Sequence, residues 1–117
     1  MLTAVDAVIT TDEMRRAREA VAVVDVSDVV AGYVIGLLEA TRQHPQIRLG
    51  ASTRAGVSLI ALARAVAASR GRTYVVAEDV AVVAVAALAH RVAGTGDVHA
   101  GRALVAECLS MVPPPTV

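Results

Sequence analysis

Tryptophan, phenylalanine and lysine are absent from this 117-residue chain, and cysteine occurs once. Without large aromatics beyond two tyrosines, the core has to be built from Ala, Val and Leu on closely packed elements. Apolar residues make up 56% of the sequence, enough for one domain with a real core. Cys108 alone excludes an internal disulfide and a thiol cluster for metal; within an apolar helical run it reads as a small core residue. Net charge is zero and all eleven basic residues are arginine, which gives no support to nucleic-acid or membrane-surface binding. The longest unbroken apolar run, Val80 to Ala89, is too short to span a bilayer. No basic segment precedes an apolar stretch at the start, as a signal peptide would require, so the expected compartment is the cytoplasm.

What is present is helical periodicity. The first helix begins near Thr11, with Thr10 and Glu13 at capping-box spacing and Ile9 and Met14 at the positions of a hydrophobic staple. It ends before Asp25-Val26-Ser27. Ser27 caps a second helix, whose expected buried stripe is Val29, Val30, Tyr33, Val34, Leu37, Leu38 and Thr41. Gly32 and Gly36 form a GxxxG on its polar side and read as idle, and His44-Pro45 stops it.

A third helix is expected from about Thr53 to Arg70, closed by Gly71. Its buried stripe reads as Leu59, Leu62, Ala63, Val66 and Ala67, with Arg64 and Arg70 reaching water. Arg72 to Val75 forms a short extended connection. The fourth helix starts around Glu78-Asp79, is apolar all round and is therefore expected at the centre, until Gly94-Thr95-Gly96 breaks it. Asp97 can cap a last helix to about Met111, and Pro113-Pro114-Pro115 ends ordered structure. No period-2 strand of useful length appears. The fold class is all-α, a small bundle of four to five helices.

Catalytic motifs are missing. There is no P-loop glycine followed by Lys-Ser or Lys-Thr, and no apolar strand ending in paired acids for Mg²⁺. His44, His90 and His99 lack metal-ligand spacing and read as capping, surface or partly buried residues. Ser52, Ser58 and Ser69 sit in no nucleophile elbow. Glu78 and Asp79, at a helix start, are expected to offset the helix dipole. The chain alone is read as no enzyme, with no catalytic residue, metal ligand or cofactor of its own.

One feature stands apart. Gly50-Ala51-Ser52-Thr53-Arg54-Ala55 puts an arginine in the first turn of a long apolar helix, where unpaired N–H groups favour acids. Such a site suits an anion, phosphate above all. Charge alone leaves two readings open, and an ordinary surface arginine is the commoner one.

The order of these pieces resembles the C-terminal lid of MoxR-family AAA+ ATPases. The resemblance rests on Val26-Ser27-Asp28, Ala40-Thr41-Arg42-Gln43-His44-Pro45, Leu49-Gly50-Ala51-Ser52-Thr53-Arg54-Ala55, Arg70-Gly71-Arg72-Thr73-Tyr74-Val75, Glu78-Asp79-Val80, Ala89-His90-Arg91-Val92 and Ala103-Leu104-Val105 through Val112-Pro113. It covers about Thr10 to Pro113 with order and spacing kept. It implies residues 1–9 as a linker from an AAA+ core, 10–112 as the lid and 113–117 as a Pro-rich tail. Met1-Leu2-Thr3 then reads as a start shortly after the domain junction.

In functional terms the resemblance implies a ring-forming, chaperone-like ATPase as parent, using ATP and Mg²⁺. The lid would contact its own AAA+ core and neighbouring subunits, sometimes with a von Willebrand factor A domain partner. Arg54 takes the place of the sensor 2 arginine that reaches the γ-phosphate, supported by Ser52 and Thr53. The sequence departs from the family at Thr53, where proline is usual, although Ser52 can still cap the helix, and at Val76-Ala77, where Thr-Pro is common; the second change removes a helix cap. The alternative is a stand-alone helical protein-interaction module. A helix-turn-helix reading fails because neither the third nor the fourth helix carries clustered basic and amide side chains.

Overall fold

A computed structural model describes residues 4–94 and 98–116. The helices are α1 (Thr11–Ala22), α2 (Asp28–Gln43), α3 (Thr53–Ser69), α4 (Ala77–Leu88) and α5 (Val98–Met111). A 3₁₀ turn, Ala89–Arg91, follows α4. Two short strands, β1 (Ile47–Leu49) and β2 (Ala93–Gly94), pair antiparallel with Ile47 opposite Gly94 and Leu49 opposite Ala93. The fold is therefore an all-α bundle carrying a minimal two-stranded ladder.

Local chemistry sets most boundaries. Thr10 and Glu13 form the expected capping box, each side chain accepting from the other's backbone N–H, at 3.1 and 3.0 Å. The Thr10 backbone N–H, and after it the Thr10 hydroxyl, hold the Glu13 carboxyl below its ordinary pKa. Ser27 Oγ caps α2 by accepting from the Val30 N–H at 3.2 Å. α3 ends in a Schellman motif: Gly71 takes φ +76°, its N–H donates to Ala68 O, and the Arg72 N–H donates to Ala67 O.

The core is assembled on an i, i+4 ridge of α3. Ala55, Leu59, Ala63 and Ala67 are all fully buried, facing Val80, Ala84 and Leu88 of α4 and Val30, Val34 and Leu38 of α2. Small side chains on this ridge let helix axes approach closely, which is how a bundle without Phe or Trp reaches normal packing density. A second, smaller cluster joins Ile47 to Leu104 and Cys108 of α5. Burial pushes the Cys108 thiol above its ordinary pKa, as for an inert core cysteine.

Several expectations need correction. Val29 (49% exposed) and Leu62 (43% exposed) lie at the margins of the stripes assigned to them. Arg64 does not simply reach water; its Nε donates to Val24 O at 3.0 Å and ties α3 to the segment after α1. α4 is not enclosed on all sides: Val80, Ala84 and Leu88 are buried while Val82 is 55% exposed. Nor does α4 run to Gly94. It stops at Leu88, because Ala93 and Gly94 are drawn into pairing with β1. The proposed breakers Thr95 and Gly96, and the cap Asp97, lie outside the described residues.

The molecule is flat, 47 × 43 × 19 Å, with a radius of gyration of 16.3 Å. A compact domain of this length would have one of about 13 Å. α1 is the main reason. It contributes no buried residue and packs chiefly along α3, where Met14, Ala17 and Val21 line a cleft with Ala61 and Ala65.

Candidate functional site

The start of α3 is fixed from below by the end of α2. Thr41, fully buried, donates its hydroxyl to Leu38 O at 2.6 Å and accepts from the Ala51 N–H at 2.9 Å. Arg42 Nε donates to Ala51 O at 3.0 Å. The peptide groups on both sides of Ala51 are thus held by consecutive residues of one helix turn. Gly50 makes the approach possible, since a Cβ there would lie 2.7 Å from both the N and the Cα of Arg42. From this platform Ser52 caps α3, its Oγ accepting from the Ala55 N–H at 3.3 Å.

Ser52, Thr53 and Arg54 are all exposed at this end. The first turn of α3 holds no acidic residue, whereas those of α1, α2 and α4 hold Asp12 and Glu13, Asp28, and Glu78 and Asp79. Arg54 has no ion pair or hydrogen bond among the described residues, and neither do the Thr53 and Arg54 backbone N–H groups. Two free N–H donors and a guanidinium at one exposed helix end form a surface receptive to an anion. Beside it, between α2 and α3, runs an apolar groove of about 140 Å³ that includes Thr53, Gly56, Ile35 and Val57, the last two 55% and 64% exposed.

The other charged cluster is closed on itself. Asp79 is fully buried at the start of α4, and Arg72 grips it with two hydrogen bonds of 2.6 Å. The Val76 N–H donates to the same carboxylate at 2.9 Å, and Arg70 Nη1 lies 3.5 Å away. The Arg72 guanidinium holds Asp79 below the usual carboxylate range; burial opposes this, and the Val76 N–H adds to it. Asp79 therefore satisfies the N–H of the N-cap residue itself, the one half of a capping box that remains when Val76 has no hydroxyl to offer, besides offsetting the dipole. Glu78 is exposed and meets Arg70 at 3.4 Å, so the two neighbouring acids point to different environments.

The histidines separate as well. His44 is buried; its Nδ1 accepts from the Gln46 N–H at 3.1 Å and its Nε2 lies 3.3 Å from Glu107 Oε2, tying the end of α2 to α5. His90 and His99 are exposed. Sequence reading placed Thr41 in the buried stripe but missed its hydroxyl's work. A polar residue on the buried stripe, eleven positions before the Ser52 N-cap, was the available signal.

Comparison with known proteins gives these pieces a common origin. Residues 39–107 match the family described as the AAA lid domain. The chain is 34% identical over 99 residues to Chaperone MoxR1 of Mycobacterium tuberculosis, covering 77% of this chain and 26% of the relative. It is 35% identical over 68 residues to the uncharacterised Bacillus subtilis protein YeaC, covering 58% and 21% respectively. A crystal structure of a Cytophaga hutchinsonii protein assigned as an ATPase superposes with a TM-score of 0.79 at 27% identity, over 90% of this chain and 36% of that one. The chain thus spans about a quarter of the length of the curated relatives it matches. With the match extending over more than half of its length, the chain belongs to the AAA lid domain family, in its MoxR-like form.

Proposed function

We propose that this lid serves a chaperone-like, ring-forming AAA+ ATPase and that Arg54 is its nucleotide-sensing (sensor 2) residue. The observation carrying this reading is an exposed arginine with no counter-ion, set beside free N–H groups on a platform held by buried hydrogen bonds. These groups fit the terminal phosphate of ATP, and Arg54 would hold it while the α3 dipole adds to the attraction. ATP supplies the phosphoryl group that hydrolysis releases, and Mg²⁺ would be held by residues outside this chain. Arg54 would neutralise charge on the phosphate in the ATP state and lose its partner once the phosphate departs. The difference in contacts between the two states moves the lid against the core. Ser52 supports Arg54 by capping α3, and Thr53 by its exposed first-turn N–H.

The apolar groove between α2 and α3, open beside Arg54, supports a covering domain, which we assign to the AAA+ core. Neighbouring subunits and a von Willebrand factor A domain protein are further partners of the proposed machine, and the cytoplasm its compartment. Among the described residues no helix is long and apolar enough to cross a membrane. By itself the chain would be non-enzymatic and would bind ATP only weakly. In the longer protein, R54A should lower ATP turnover on the order of 100-fold, the usual cost of one transition-state donor, with the fold intact. Unchanged turnover and nucleotide-dependent closure would refute the assignment.

A further inference from the structure

We propose that Thr41 and Arg42 are positioning residues for Arg54, an inference that rests on the nucleotide-sensing reading of Arg54. Arg54 sits on the first turn of α3, three residues after Ala51, and the Ala51 backbone is the last point at which the loop is tied to the rest of the bundle. The Ala51 N–H ends on Thr41 Oγ1, and the Ala51 carbonyl accepts from Arg42 Nε. Thr41 is itself oriented, because its own proton is directed to Leu38 O in the preceding turn of α2. A hydroxyl engaged on both sides and fully buried has one orientation available, so it sets the height of Ala51 above α2. Gly50 removes the Cβ that would hold the strand-to-helix loop away from Arg42.

The consequence is a division of labour. Ser52 closes the α3 backbone, whereas Thr41 and Arg42 decide where that helix end stands relative to α2. Displacement of a charged donor by about 1 Å is enough to cost a large factor in rate. An alternative role for Arg42, direct contact with the nucleotide, makes a different prediction, because a second contact would act independently of Arg54.

The test is a double-mutant cycle on ATP turnover in the longer protein, with T41V, T41S, R42A and R54A alone and each clasp variant combined with R54A. T41V keeps the shape and removes the hydroxyl. It should lower kcat about tenfold, while R42A causes a smaller loss and T41S restores most of the turnover. In the R54A background both T41V and R42A should cause no further loss. Faster amide exchange at Ala51 in T41V would show the clasp opened. Arg42 is exposed, so R42A tests the clasp in a folded chain even where T41V misfolds. Equal losses with and without Arg54 would overturn positioning and leave the sensing reading intact, as would wild-type turnover in T41V and R42A alongside a slow R54A. Wild-type turnover in R54A would overturn both.

Discussion

The starts of α3 and α4 use the same residue types to opposite ends. At α4, two arginines and a carboxylate form a closed set: Asp79 is buried, Arg72 pairs with it through both guanidinium branches, and a backbone N–H completes the shell. At α3 the acid is missing, the arginine lies inside the helix's first turn, and nothing in the described chain answers it. The first arrangement stabilises the lid itself. The second opposes its own helix dipole, which is reasonable for a group whose partner arrives from elsewhere.

Removing a charge at each start is the most direct way to break this comparison. D79N should destabilise the chain by about 2–4 kcal/mol in chemical denaturation, because it breaks a buried pair, with the partial exposure of Arg72 keeping the loss below the extreme. A loss under 0.5 kcal/mol would place the α4 cluster with ordinary surface pairs. Acid titration sharpens the same point. The folded pKa of Asp79 is depressed, so its contribution is fully present above the unfolded value of about 3.9 and is lost as pH falls through that value towards the folded one. Stability of the wild-type chain should therefore fall below about pH 4 more steeply than that of D79N.

Gly32 on α2 and Gly50 beside it allow a second, smaller contrast. G50A should cost about 1–3 kcal/mol, because its Cβ meets the Arg42 backbone, which cannot swing aside as a side chain can. G32A meets nothing within 4 Å and should gain about 0.5–1 kcal/mol through helix propensity. Equal midpoints for the two variants would remove the close approach assigned to Gly50. The smallest effect belongs to R54A in the isolated chain, whose Tm should stay within about 2 °C of wild type or rise. A large drop would mean that Arg54 is a structural residue after all.

Most of the helical frame could be read directly from the chain. The Thr10/Glu13 box, the Ser27 and Ser52 caps and the Gly71 stop depend on contacts within five residues, and all four are observed. The errors fall where long-range contacts compete with local preference. α4 reads as continuous helix to Gly94 on periodicity alone, yet pairing with Ile47–Leu49 ends it at Leu88. Its apolar circumference suggested a central position, but Val82 remains exposed. Alanine and valine are permissive on either side of such a boundary, so composition could not locate the buried face.

The candidate site divides in the same way. That Arg54 occupies the first turn of a capped, acid-free helix followed from the sequence, because cap spacing and helix phase are local properties. Tertiary structure decided what holds it there: Thr41 and Arg42, ten and nine positions from Ala51, meet its N–H and carbonyl only after α2 and α3 have packed. Folding likewise turned Asp79 from a dipole-compensating acid into a buried carboxylate gripped by Arg72, and left Arg54 facing outward. A linear sequence carries the charges and their spacing. Which of them become each other's counter-ions depends on desolvation and distance, and those exist only once the helices are in place.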